Sequence, residues 1–271
     1  MKIRNLPQNN YKAIYFNGKT LRIALDPSKD IYRLDYPEFY DVKITNKCNG
    51  CCSYCYQNST KDSVHFPNVI DNIKEFFGKL TENQRPFQVA IGGGEPTLHP
   101  DFINILKTFN DLGIVPNYTT NGMHLTDEIE KATVKNCGGI AISCHPHLKK
   151  YWLPAIYRFL NAGIIVNLHW IIFDDESIYR FYNFHEKYKH LIDYSVLLPA
   201  INKGRCVDKF IDYDYLKYTL KVMNLNKIAF GAGFYKFLKE NKWINASLYQ
   251  PEAFSKYLDM SDMSIYNSSF E

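Results

Sequence analysis

No stretch of this sequence approaches the roughly 20 consecutive apolar residues that a membrane-spanning helix needs. The opening residues, Met1-Lys-Ile-Arg-Asn-Leu-Pro, hold no apolar run of the kind a signal peptide carries, so export is not expected and a cytoplasmic location is. Charge of one sign is also scarce. The formal net charge is +4, and Lys and Arg are scattered rather than gathered in a stripe, so charge gives no support to nucleic-acid binding. Evenly paired cysteines are missing too: seven is an odd number, and without an export signal the thiols are expected to stay reduced rather than form a disulfide framework. Apart from a β/α rhythm there is no repeat of about 20–50 residues, which excludes a solenoid.

What is present is enough for one large domain. The chain has 271 residues, of which 46% are hydrophobic and 22% charged, a composition that buries a core and does not stay disordered. Aromatics reach 15%, which fits either a coding bias toward Tyr, Phe, Lys, Asn and Ile or a base-stacking surface. Residues 1–38 read as an N-terminal extension built on a hairpin, because Asn17-Gly18 separates two alternating runs. Residues 39–224 alternate strand-like runs at 41–45, 87–91, 115–119, 139–144, 164–171 and 194–198 with amphipathic helical segments. Those helices are expected near 68–80, 100–112, 126–136, 151–161, 177–188 and 213–223. Gly113 and Gly163 stand where a left-handed helix cap wants glycine. Pro100-Asp101 reads as a helix start with proline in the first turn. Residues 225–271 form a short mixed extension packed on the core, with helices expected near 234–240 and, after Pro251, near 254–258. The class is α/β with parallel strands, and periodicity leaves open a doubly wound sheet or part of a barrel.

Four of the seven cysteines lie within eight residues, in Asn46-Lys-Cys-Asn-Gly-Cys-Cys-Ser-Tyr-Cys-Tyr, directly after the first of these strands. Loops at the carboxyl ends of strands are where α/β proteins place their sites. Close thiolates suit a soft metal or an iron–sulfur cluster, whereas a structural zinc site needs a second pair of ligands that this sequence lacks. Two registers are available, Cys48-x3-Cys52-x2-Cys55 and Cys48-x2-Cys51-x3-Cys55. Three ligands on a four-iron cube leave one iron open, as a catalytic site requires.

The first register, with Tyr54 before its last cysteine, resembles the signature of the radical S-adenosylmethionine (radical SAM) superfamily. Gly93-Gly94-Glu95-Pro96 resembles that family's GGE motif, and Thr119-Thr120-Asn121-Gly122 resembles its TTNG strand end. Strand alternation aims Ser143 and His145, then Asn167 and His169, at the same face. Leu198-Pro199 through Gly204-Arg205 is similar to the P…GR turn of several peptide-modifying members. The resemblance covers residues 41–205. It implies a partial (β/α)6 barrel and one [4Fe–4S] cluster on Cys48, Cys52 and Cys55. It also implies SAM contacts from Tyr54, Gly93, Gly94, Glu95, Thr120, Asn121, Ser143 and Asn167. The reduced cluster of that family splits SAM to a 5′-deoxyadenosyl radical that takes hydrogen from substrate, so a low-potential electron donor such as flavodoxin or ferredoxin is implied as partner.

Three further residues invite a catalytic reading beside a structural one. His145 and His169 either touch substrate and move protons or are hydrogen-bonded structural histidines. Cys206 either donates a hydrogen atom or is a buried packing thiol. Cys137 and Cys144 read as core residues, and Cys51 as a neighbour of the cluster. The cysteine-rich auxiliary-cluster domain of many peptide-modifying relatives has no counterpart here, since no cysteine follows Cys206 and Asn267 stands where one is expected; a single-cluster core is expected. A peptide or protein side chain is the favoured substrate class, ahead of a nucleotide and then a small metabolite. A non-catalytic metal-binding protein is the reading from another class.

Overall fold

The computed structural model describes residues 1–29, 31–207, 210–223, 226–243 and 254–271. A three-stranded antiparallel sheet opens the chain, formed by β1 (Lys2–Leu6), β2 (Tyr11–Phe16) and β3 (Lys19–Ala24) in that order. Asn17 and Gly18 join β2 to β3 with φ of 49° and 74°, the left-handed pair that a two-residue hairpin turn demands. The hairpin was legible, whereas β1 was not, because its inward residue is Arg4. A buried arginine at the centre of a five-residue strand hides the alternation.

The second sheet contains six parallel strands in unbroken sequence order. They are β4 (Phe39–Thr45), β5 (Gln88–Gly93), β6 (Val115–Thr120), β7 (Ile140–Ser143), β8 (Val166–Ile172) and β9 (Tyr194–Pro199). Helices α1 (Val69–Gly78), α2 (Phe102–Asp111), α3 (Asp127–Asn136), α4 (Lys149–Asn161) and α5 (Asp175–Tyr188) connect them, and α6 (Tyr213–Val222) follows. A doubly wound sheet reverses its strand order at a switch point; this one never reverses. With right-handed crossovers, an unreversed order keeps every helix on one face and curls the sheet, giving the partial barrel. Burial follows the same geometry. Along β8 the residues alternate, with Val166, Leu168, Trp170 and Ile172 buried and Asn167, His169 and Ile171 half-buried on the concave side.

Gly113 and Gly163 adopt φ of 71° and 77° just past α2 and α4, as their positions suggested. Pro100, in contrast, lies before α2 rather than in its first turn, and Asp101 is the N-cap.

The segment after α6 enters the same sheet. Strand β10 (Ile228–Phe230) adds in parallel to β9, and α7 (Tyr235–Glu240) follows it. Strand β11 (Ser255–Asp259) adds in parallel to β4, and β12 (Ser264–Tyr266) pairs antiparallel to β11. The helix expected near 254–258 is therefore corrected to a strand. Its helical reading rested on a proline start at Pro251, which lies outside the described residues. The open edge of β4 overrode that local signal by offering backbone partners from Phe39 to Lys43.

The N-terminal sheet closes the end of the barrel where the strands begin. Tyr11, Ala13, Tyr15 and Leu34 share a small core with Phe87 and Phe254. Arg22 Nε donates to both oxygens of buried Glu38 at 2.9 and 3.1 Å, and the Tyr11 hydroxyl donates to the same carboxylate. Among the described residues no helix is long and apolar enough to cross a membrane.

Candidate metal centre and active site

The cysteine loop leaves the carboxyl end of β4 and folds around Gly50. A methyl group placed on Gly50 would stand 3.5 Å from Cys48 Sγ and 3.6 Å from Cys52 Sγ, so these sulfurs flank one point. The Gly50 N–H lies 3.3 Å from Cys48 Sγ, and Asn121 Nδ2 lies 3.9 Å from it. Cys52 is 8% exposed, whereas Cys51 adopts a left-handed φ of 50° and turns to solvent. Burial pushes the Cys48 thiol up to about 11. It pushes Cys52 up to about 12, with Cys48 and Cys55 adding repulsion. Thiols crowded in this way give up their protons to a bound cation rather than to water.

The end of β5 crosses this loop at close range. Gly94 N–H donates to the Thr45 carbonyl and Glu95 N–H to the Lys47 carbonyl, both at 2.8 Å. A Cβ on Gly94 would sit 2.1 Å from the Lys47 oxygen, and one on Gly93, where φ is +111°, 2.3 Å from the Thr45 oxygen. The glycines thus permit backbone-to-backbone approach, which is a second demand beside any approach to a ligand.

Glu95 is fully buried at the centre of the constellation. Its Oε1 accepts from Thr97 Oγ1 at 2.7 Å, Thr120 Oγ1 at 2.8 Å and Thr97 N at 3.3 Å. Its Oε2 accepts from Asn121 N at 2.7 Å, which leaves one lone-pair direction for a further donor. Burial raises the carboxyl above its ordinary range, and these donors oppose that rise. Through Glu95 the ends of β5 and β6 are tied together. Asn121 Nδ2 is thereby aimed at Asn49 Oδ1, 2.9 Å away, and at the Cys48 sulfur.

The concave face carries the polar residues read from strand parity. Ser143 on β7 and His169 on β8 are register partners, and Ala141 pairs with Asn167. Asn167 Oδ1 is buried without a hydrogen-bond partner among the described residues, so an acceptor stands ready for a ligand's donor. His169 makes no side-chain hydrogen bond to a described residue, and burial lowers it to about 4, so it is neutral at pH 7. His145 is lowered to about 4 by burial and by its neighbours His147 and His169. It shares a 3.0 Å hydrogen bond with the Tyr54 hydroxyl, and Tyr54 stacks on Phe173 at 4.8 Å. Cys206 is 0% exposed, the environment of a packing thiol.

Two residues have a place at the cysteine loop that the sequence alone did not assign. His147 Nε2 lies 2.9 Å from the Gly50 carbonyl and 3.7 Å from Cys52 Sγ. Arg205 braces the loop from the β9 side. Its Nε donates to the Cys52 carbonyl at 3.1 Å, Nη1 to Asn58 Oδ1 at 3.0 Å, Nη2 to the Ser59 carbonyl at 2.8 Å, and its N–H to the Cys55 carbonyl at 3.0 Å. Gly204, at φ +62°, lets the two loops touch, since a Cβ there would stand 2.4 Å from the Tyr56 oxygen. The Gly-Arg pair was visible as a motif, but not that it grips the cysteines 150 residues upstream.

Comparison with known proteins adds a family. The model of the Radical SAM superfamily matches residues 42–145. Mycofactocin maturase MftC of Mycobacterium tuberculosis is 33% identical over 100 residues, 35% of this chain and 24% of that protein. The GTP 3′,8-cyclase of Pasteurella multocida is 30% identical over 110 residues, 40% of this chain and 32% of that protein. Among solved structures, Streptococcus suis SuiB bound to precursor peptide SuiA superposes with a TM-score of 0.68 at 16% identity. The superposition covers 87% of this chain and 60% of that one, a likeness of fold. The matched stretch spans about a third or less of the curated relatives' length. The donor types suit the group that the family implies: Cys48, Cys52 and Cys55 share one loop, Cys52 buried and the other two half-buried, with a glycine between the Cys48 and Cys52 sulfurs, and the Asn167 oxygen on β8 has no partner among the described residues.

Proposed function

As this chain belongs to the radical SAM superfamily, we propose that it is an enzyme that cleaves SAM reductively and removes hydrogen from a peptide or protein side chain. The observation that carries the chemistry is the cysteine loop itself, with Cys48 and Cys52 flanking Gly50 beside the Glu95–Asn121 pair. When bound and reduced, a [4Fe–4S] cluster with SAM supplies a 5′-deoxyadenosyl radical. The chain's own residues do the rest. Cys48, Cys52 and Cys55 hold iron, and Arg205 and His147 fix the loop that carries them. Glu95 keeps one acceptor direction for the SAM ammonium, and Ser143 and Asn167 face the ligand from β7 and β8. Tyr54, held against Phe173 and His145, walls the mouth and excludes water. A low-potential flavodoxin or ferredoxin would deliver the electron, in the cytoplasm.

The peptide reading is supported by strand β3. It is an edge of its sheet, and Leu21 (60% exposed), Ile23 and Leu25 turn apolar side chains to solvent beside its free backbone groups. An extended peptide adds to such an edge. A nucleotide substrate is the second reading, favoured by the similarity to a GTP cyclase.

The test is anaerobic reconstitution. About four irons per chain and reductive formation of 5′-deoxyadenosine are expected. Each of Cys48→Ala, Cys52→Ala and Cys55→Ala should lower the iron content, whereas Cys51→Ala should keep it. Unchanged iron in the first three variants would sink the assignment, and tightly bound zinc without SAM binding would restore the non-catalytic reading. Deuterium followed from labelled peptides or nucleotides into 5′-deoxyadenosine separates the substrate classes.

A further inference from the structure

We infer that Asp41 is a substrate-binding carboxylate in the barrel lumen, built to receive an ammonium or guanidinium group. The inference rests on the enzyme reading above only in taking the lumen as the substrate's place.

The lumen face of the described strands carries three charged carboxylate or ammonium side chains, Asp41 and Lys43 on β4 and Asp259 on β11. Two of them satisfy each other. Lys43 Nζ stands 2.9 Å from Asp259 Oδ2, each side chain 15% exposed. Asp41 is left over. Its carboxylate makes no hydrogen bond or ion pair with any described residue. Solvent reaches it, yet protein surrounds it closely enough that burial pushes its carboxyl up to about 7. An ionised carboxylate hemmed in by protein and without a protein partner gains from a cationic one.

The neighbours suit a cation. Tyr257 is the register partner of Asp41 on β11, and Tyr56 lies close enough for the Asp41 charge to add to the rise that burial gives its phenol. A carboxylate attracts a cation by charge, and a tyrosine ring beside it adds attraction through its face. Depth fits as well. Through Ala90, Asp41 is level with Asn117, two residues below the row that runs through Thr119, Ala141 and Asn167. Two residues along a strand are about 7 Å. A side chain whose cationic end meets Asp41 therefore extends its carbons up toward the level of Asn167, with Ser143 two residues higher.

Binding of n-pentylammonium and n-pentylguanidinium to the reconstituted, SAM-loaded protein reads Asp41 directly, whatever the natural substrate is. Calorimetry should give at least tenfold tighter binding of a cation than of n-pentanol. Asp41→Asn should abolish that preference, and Asp41→Lys should turn it toward n-pentanoate. A footprint on the unaltered protein gives a second measurement that needs no variant: carbodiimide coupling at Asp41, read by mass spectrometry, should be suppressed by n-pentylammonium and not by n-pentanol. Equal binding of cation and alcohol, a preference that survives Asp41→Asn, or coupling that the cation leaves unprotected would each overturn the inference. The peptide reading is decided separately by deuterium transfer, so its failure would leave the outcome at Asp41 standing.

Discussion

Glu95 has duties to the protein itself that its motif does not announce. Its motif pointed to a ligand's ammonium, but the structure gives it four protein donors first. Replacing it with Gln puts an amide N–H₂ where an acceptor is needed, so either Asn121 N–H or a threonine hydroxyl loses its partner. A buried donor left in that state costs about 1–3 kcal/mol. Glu95→Gln should lower the urea midpoint accordingly and lower iron retention with it, because Asn121 is positioned through Glu95. Asp41 makes the opposite prediction. Its folded-state carboxyl, near 7, lies above the ordinary 3.8, so the folded protein binds the extra proton between those values. The stability tied to that proton is complete below about pH 4 and lost as pH rises through 7. The nearby tyrosines do not ionise in this window. Asp41→Asn should therefore raise the melting temperature more at pH 8 than at pH 5. The reverse order would show that Asp41 has a partner when ionised. Parity along the strands was enough to place Ser143, Asn167 and His169 on the concave face, because side-chain direction is set locally. Which neighbour each one meets was not legible, since that depends on strands far away in sequence.

Elements in this fold are legible where the local signal and the packing agree. Six β/α units, the Asn17-Gly18 turn and the glycine caps could be read because each is fixed within a few residues. Strand β11 could not, because its conformation is decided by the free edge of β4 more than 200 residues earlier. The cysteine loop belongs to the same category: it has no regular structure of its own and is held from outside, by the β5 end and by the loop after β9. Gly94→Ala forces a Cβ to 2.1 Å from the Lys47 oxygen, a backbone atom that cannot swing away, so little iron-loaded protein is expected. Arg205 offers a graded test of the other side. Arg205→Ala removes three side-chain donors from the loop, and loss of iron to a chelator should quicken by at least tenfold. Arg205→Lys should rescue little, because one ammonium cannot reach three acceptors that a planar guanidinium reaches together. Equal iron loss in wild type and Arg205→Ala would mean that the three cysteines hold the loop unaided.

At the scale of the molecule, the two ends of the barrel have different tasks, and this decides how the N-terminal sheet must be tested. The candidate site occupies the end where the parallel strands finish, and the N-terminal sheet seals the end where they start. Deleting residues 1–38 would uncover Phe87 and Phe254 and remove Glu38 together with its Arg22 and Tyr11 partners. Lost turnover after that deletion would report a damaged core as readily as a missing docking edge. The informative changes are on the exposed side of β3, where Leu21 and Ile23 support nothing beneath them. If a peptide adds to this edge, its own side chains cover those two. Leu21→Glu with Ile23→Glu should then raise the KM for a long peptide by about tenfold or more, the scale expected when some 50–100 Å² of apolar contact is lost at about 25 cal/mol per Å². A truncated peptide that reaches the lumen but not the edge should show the same KM in both proteins. If the long peptide is also indifferent to the two glutamates, the sheet is a plug for the barrel and nothing more, and the peptide reading must stand on the lumen alone.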